Sequence, residues 1–277
     1  MRRYTSAAKM PLWKWILCLI GGLAIFLLLY GLCQGLPDML GLGMALRCVF
    51  YVVTALLALL LYTIWTNLTE RRPVEELALR RALPDTGKGL LTGAGFFCVV
   101  VGILALVGCY HVTGVQFDTT VQVTAFLRFL MGAVFEEILF RGIVFRLIDD
   151  RWNTVSALII SALIFGAIHF ANTGATLWSS AAIAIEAGLM LGAAYKFSRT
   201  LWLPIGIHWA WNYMQGNVFG FAVSGSNAGS HIFSPIISGP NLVTGGVFGA
   251  EASIITVGVG LILTIVFLMA APRERRY

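Results

Sequence analysis

The sequence predicts an all-α, polytopic membrane bundle of about eight transmembrane helices, and three observations point to it. Of 277 residues, 58% are hydrophobic and 12% are charged. Soluble domains carry about twice that charged fraction. The mean hydropathy is +0.85. Eight apolar stretches, near 13–35, 43–67, 89–110, 122–147, 154–171, 179–197, 201–219 and 252–271, can each supply a span, for which about 20 residues are needed. Little sequence lies outside them, so residues 1–277 read as a single membrane domain with no soluble one.

The charges between the stretches orient the bundle. Arg2, Arg3, Lys9 and Lys14 precede the first, and Arg71, Arg72, Arg80, Arg81 and Lys88 fill the gap before the third. Arg146 and Arg151 close the fourth, Lys196 and Arg199 the sixth, and Arg273, Arg275 and Arg276 follow the eighth. The alternate loops, around 36–42, 111–121, 172–178 and 220–251, hold no lysine or arginine. Cationic flanks stay on the cytoplasmic side, so both termini are expected there. An even number of spans agrees. The net charge of +6 is then explained by topology and by an anionic lipid bilayer, and needs no nucleic-acid partner.

Outside the spans, 68–88 alternates Glu75, Glu76, Arg80 and Arg81 with leucines, and reads as a short amphipathic helix on the membrane face, a solvated connector. The stretch 220–251 is an exterior Gly/Ser-rich loop, uncharged until Glu251. It is either a lid folded back over the helices or a plain loop. The basic N-terminus followed by an apolar run lacks a small-x-small cleavage site and reads as a retained anchor helix. The five cysteines form no CxxC pair and read as small core residues. Gly188 and Gly192 form a GxxxG, which serves helix packing. No internal repeat is visible.

The fourth stretch carries Glu136, Glu137 and Arg141. Charges at that depth cost roughly 2.5–3.5 kcal/mol each on insertion scales, so they face a cavity or a partner. Glu137 and Arg141 are four apart on one helical face, a good ion-pair orientation. Glu136 is rotated by roughly 100° and is left to face a cavity, where desolvation suits a carboxylate to general-base work. Phe165 and His169 share a face of the fifth stretch; His208 and Asn212 share one in the seventh, after Pro204 in its first turn. Each polar residue alone has an ordinary explanation as interhelical hydrogen bonding. Together they suit hydrolysis. Glu136 and His169 would activate a water while His208 and Asn212 hold the oxyanion. A zinc variant, with Glu136, His169 and His208 as ligands, stays open, although no HExxH is present. By rise along the helices, His169 falls near the exterior end of its span and His208 nearer the cytoplasmic half of its own. Glu186 has two readings, a structural pair with an Arg or His across the bundle, which is favoured, or a side chain opening onto the same cavity; Arg47 is ambiguous in the same way, and one reading has it snorkel to the interface.

EExxxR, FxxxH and HxxxN, in that order on separate spans, resemble the CAAX prenyl protease type II family, also called CPBP or Abi. The likeness covers about 122–215, and Leu201-Trp-Leu-Pro-Ile-Gly206 before His208 resembles bacterial members. It implies a glutamate-dependent intramembrane endopeptidase in a bacterial plasma membrane. Glu136, His169, His208 and Asn212 would be its catalytic residues, and Glu137 and Arg141 would support them. The family is often labelled a metalloprotease, and the cofactor is left unknown, with Zn2+ the candidate. Its partners would be a membrane-associated peptide or protein substrate, a CAAX-type tail or a bacteriocin precursor, together with lipid. The competing classes are a non-catalytic membrane scaffold or bacteriocin-immunity protein, and a transporter using the same groups as a proton relay.

Overall fold

The computed structural model describes residues 10–227 and 229–272. Part of the assignment of the termini rests on Arg2, Arg3, Lys9, Arg273, Arg275 and Arg276, which lie outside the described residues. Eight helical rods follow one another. They are α1 (Leu12–Met39), α2 (Met44–Glu70), α3 (Leu79–Leu106), α4 (Thr119–Glu137 running on through Ile138–Phe145 and Arg146–Arg151), α5 (Thr154–His169), α6 (Leu177–Ser198), α7 (Trp202–Tyr213 running on through Met214–Val218) and α8 (Ile254–Ala270). Four of them, α1, α2, α3 and α6, are long and apolar enough to cross a membrane; α5 and α8 are shorter apolar helices. The chain is a membrane protein of predominantly helical architecture.

Local chemistry sets the helix starts. Asp118 accepts the Thr120 and Val121 N–H groups at α4, Asn153 accepts Ser156 N–H at α5, and Thr176 with Ser179 closes a capping box at α6. Packing is close where residues are small. Gly89 and Gly93 of α3 lie against the backbone of Gly206 and Ile207 in α7. Gly188, in the GxxxG, leaves no room for a side chain: a Cβ there would lie 2.8 Å from Ala162 Cα of α5. α4 touches α1, α2, α5 and α7, which makes it the axis of the bundle.

The loops that read as irregular contain one paired element. β1 (Tyr110–Val115) and β2 (Phe233–Ile237) form an antiparallel two-stranded sheet with a register shift between Val112 and Gly114. This ties the loop after α3 to the 220–251 segment.

The connector 68–88 departs from expectation. In place of a solvated amphipathic helix, a single 3₁₀ turn, Glu75–Leu77, precedes α3, which starts at Leu79. Glu70, Arg72, Glu76 and Arg146 are all buried. Arg146 Nη1 donates to Glu70 (2.8 Å), Arg72 Nε to Glu70 (3.0 Å) and Arg72 Nη1 to Glu76 (2.8 Å). The Tyr62 hydroxyl donates to Glu76 and to Gly142 O. Burial alone would raise the Glu76 carboxyl. Arg72, Arg146 and the Tyr62 hydroxyl outweigh it and hold the group down at about 2. The partner that makes this a core element, Arg146, lies 76 residues away from Glu70, beyond the reach of local pattern.

Candidate active site

Three rods change from α to π geometry: Ile138–Phe145 in α4, Ala184–Leu189 in α6 and Met214–Val218 in α7. A π turn shifts the hydrogen-bond ladder and frees carbonyls for outside donors; such turns recur at functional sites. Here Gly142 O accepts Tyr62 and Arg146, while Ala187 O and Gly188 O accept Arg141 Nη2 at 3.1 and 3.3 Å. The first π turn begins one residue after Glu137, so the ladder changes beside the two glutamates.

Glu137 is fully buried, and its Oε1 accepts from two groups, Arg141 Nη1 at 2.8 Å and His208 Nδ1 at 2.9 Å. The expected ion pair is present, and it also orients an imidazole. With Nδ1–H given to a carboxylate, His208 turns Nε2 to the cavity, 3.7 Å from Glu136 Oε2. Glu136 points the other way, as its rotation on the helix requires. Its Oε1 accepts the Tyr30 hydroxyl at 2.8 Å, and Gln34 Nε2 in turn donates to Tyr30 at 2.8 Å. Glu136 Oε2 has no hydrogen-bond partner among the described residues.

His169 gives its Nδ1–H to Phe165 O at 2.7 Å. A carbonyl only accepts, so the proton sits on Nδ1 and the Nε2 lone pair is the free one. The Phe165 ring lies 4.6 Å from the His169 ring and 6.2 Å from the His208 ring, a spacer between the two. The mismatch in depth between the histidines disappears in three dimensions. Glu136, His169, His208 and Asn212 line one cavity of about 310 Å³, together with Tyr30, Gln34, Arg128, Asn172, Ser224 and Ser226. The Asn212 carboxamide has no partner among the described residues.

The 220–251 segment folds back over this cavity. Asn172 Nδ2 donates to Ser224 O at 3.0 Å, and Glu251 accepts Ser224 N–H at 2.6 Å. Gly225 sits at φ 80° with its α-carbon against Thr173 O, where a side chain would clash. Glu251 lies outside the spans, and burial pushes its carboxyl up to about 7 despite the bonds from Ser224. The folded carboxyl therefore binds its proton more tightly than the unfolded one. Its contribution is fully present below about pH 4.5 and is lost as pH rises through about 7, a difference of at most about 3 kcal/mol. Thermal melting at pH 5 and pH 8 should show a steeper loss in wild type than in Glu251→Gln. Equal slopes would contradict this.

One expectation needs correction. Glu186 does not pair across the bundle: it is fully buried, and neither carboxylate oxygen has a hydrogen-bond partner among the described residues. Its neighbour is a second carboxyl, Glu251. The zinc variant stays open. Among the described residues no three His, Cys, Asp or Glu side chains gather as a metal site, Glu136, His169 and His208 included. The Nδ1 atoms of the two histidines are committed to Glu137 and Phe165 O, which leaves each Nε2 for a water, a substrate or a metal. Arg47 binds Asp38 at 2.7 Å and Leu42 O at 2.8 Å, at the end of α1.

Sequence reasoning missed Tyr30, Gln34, Arg128 and the loop residues. Tyr30 and Gln34 are four apart in an otherwise apolar run, and that polar pair was the available signal.

Comparison with known proteins adds one finding. Residues 118–214, about a third of the chain, match the family model described as type II CAAX prenyl endopeptidase Rce1-like. The match contains all three motifs and supports the resemblance drawn from them. No curated protein and no solved structure matches the chain.

Proposed function

We propose, from the match to the type II CAAX prenyl endopeptidase family, that this chain is an intramembrane endopeptidase that works through Glu136. The observation that carries the proposal is the shared cavity. Four side chains from α4, α5 and α7 line it, and several of their polar atoms are not used by the fold. A scaffold has no use for a desolvated, half-bonded carboxylate beside an unpaired carboxamide.

The steps follow from the atoms. A water held between Glu136 Oε2 and His169 Nε2 gives its proton to Glu136 and attacks the peptide carbonyl carbon. The oxyanion that forms takes hydrogen bonds from Asn212 Nδ2–H and from His208 Nε2–H, His208 being in its doubly protonated form. The carbon–nitrogen bond then breaks, and Glu136 returns the proton to the leaving amine. Glu137 holds the His208 ring by Nδ1–H, and Arg141 locks Glu137 in turn. No step is routed through a metal. We take the substrate to be a membrane-associated peptide, as the family name implies.

Two variants test the proposal in native membranes. Glu136→Gln and His169→Ala should each accumulate an uncleaved precursor, visible by comparative proteomics against wild type. Full complementation of a deletion by both, with no change in any precursor, would sink it. Asn212→Ala should lower kcat by about 10²- to 10³-fold with little change in KM, because it removes one oxyanion donor. A rise in KM of that size with kcat unchanged would assign Asn212 to binding.

A further inference from the structure

His169 is the last residue of α5, and helix ends fray. Past it the ladder tightens. The N–H groups of Phe170, Ala171 and Asn172 donate three residues back, to Ala167 O, Ile168 O and His169 O, at 3.2, 3.2 and 3.1 Å. A water between Glu136 and His169 needs both groups fixed, because a shift of about 1 Å can cost about 10²-fold in rate. Glu136 stands inside a long rod, whereas His169 needs a tether outside its own helix.

The 220–251 segment supplies that tether. Val223 N–H donates to Ser226 O and Ser226 N–H to Val223 O, each at 2.8 Å, which closes a two-residue turn over Ser224 and Gly225. Both central residues have positive φ, 48° and 80°, the pattern of a type I′ turn. Gly225 takes that conformation freely. Ser224 carries a Cβ and is strained there, so its surroundings must hold it. Glu251 does so: its Oε2 accepts Ser224 N–H at 2.6 Å and Ser224 Oγ–H at 3.1 Å.

Glu251 is buried on a 3₁₀ turn, Ala250–Ala252, that two rods fix in place. Trp178 Nε1 of α6 donates to Ala252 O at 2.7 Å, and Thr256 Oγ1 of α8 to Ala250 O at 2.6 Å. On its other side the Ser224 turn reaches the end of α5. Ser224 O accepts Asn172 Nδ2 at 3.0 Å, and Gly225 lies against Thr173 O. The path from Glu251 through Ser224 to Asn172 ends three residues from His169. Ser224 and Glu251 lie beyond residues 118–214, the part of the chain that the family model matches.

We infer that Glu251 is a positioning residue for the peptide hydrolysis: it pins Ser224 in the strained turn and, through Asn172, sets the His169 ring against Glu136. This rests on the endopeptidase reading and adds to it a residue that acts on the chemistry only through others.

The test uses purified full-length protein in lipid nanodiscs and a pool of N-palmitoylated decapeptides of random sequence, with rates taken per folded molecule. Glu251→Ala should lower the apparent kcat by about 10- to 100-fold and leave KM little changed. Glu251→Gln keeps a carbonyl oxygen for Ser224 N–H and should retain most of the wild-type rate. Asn172→Ala cuts the path on its far side, leaves the packing around Glu251 intact, and should lose a similar factor. The double variant Glu251→Ala with Asn172→Ala should lose no more than the worse single one, because both act along one path. Ser224→Gly removes the strain and should recover part of the rate in the Glu251→Ala background. An unchanged kcat in folded Glu251→Ala or in Asn172→Ala, or losses that multiply in the double variant, would overturn the positioning role. Should folded wild type cut no peptide, the endopeptidase reading is what fails. The tether is then read by hydrogen exchange, which Glu251→Ala should speed at 169–173 and leave unchanged along α4. Exchange at 169–173 equal to wild type would remove the tether as well.

Discussion

Glu136→Gln is expected to lower peptide hydrolysis by about 10²- to 10⁴-fold, the range lost when a positioned general base is removed. The variant should remain folded. The one hydrogen bond that Glu136 makes is as an acceptor from the Tyr30 hydroxyl, and a glutamine carbonyl accepts it equally. Loss of activity with unchanged melting would therefore report chemistry. Glu137→Gln should behave differently, because Glu137 accepts from both Arg141 and His208 deep in the bundle. It is expected to lose stability as well as activity. Activity retained in Glu136→Gln and abolished in a fully folded Glu137→Gln would exchange the roles assigned to the two carboxylates.

The second large effect is on folding. Arg146→Met removes the cation that holds Glu70 and leaves Arg72 alone between two buried carboxylates. Removing one partner of a buried pair typically costs about 3–5 kcal/mol. Unfolding in detergent should show that loss. The double variant Arg146→Met with Glu70→Leu should recover most of it, since an apolar pair of similar size does not strand a charge. The exposed pair Arg47–Asp38 is the control, because a solvated pair is worth about 0–1 kcal/mol. A loss at Arg146 no larger than that at Arg47 would contradict the structural role of the network.

Much of the fold could be read along the chain, because apolar runs and their cationic flanks are local signals. All eight stretches appear as helical rods, although α3 starts ten residues before the expected span and absorbs part of the connector. Glu136, Glu137, Arg141, His169, His208 and Asn212 stood out as polar residues in apolar surroundings, and helical spacing separated the Glu137–Arg141 pair from Glu136. What was hidden depends on distant partners. Charged residues at 70–76 look solvated until Arg146 is folded against them. Tyr30 is one of four aromatics in α1, set apart in the sequence only by Gln34 four residues on, and its contact with Glu136 comes from the fold. The pairing of β1 with β2 joins two loops more than a hundred residues apart, one of them broken by Pro235. The π turns leave no pattern in sequence, yet their freed carbonyls hold Arg141 and Arg146 in place.

The central claim is that a water activated at Glu136 cleaves a peptide bond. Its most direct test is purified full-length protein in lipid nanodiscs, incubated with the palmitoylated peptide pool in H₂¹⁸O and read by mass spectrometry. The account predicts products whose new C-terminal carboxylate carries one ¹⁸O in wild type, and none above background in folded Glu136→Gln. Products formed equally by the variant, or none formed by folded wild type, would contradict it.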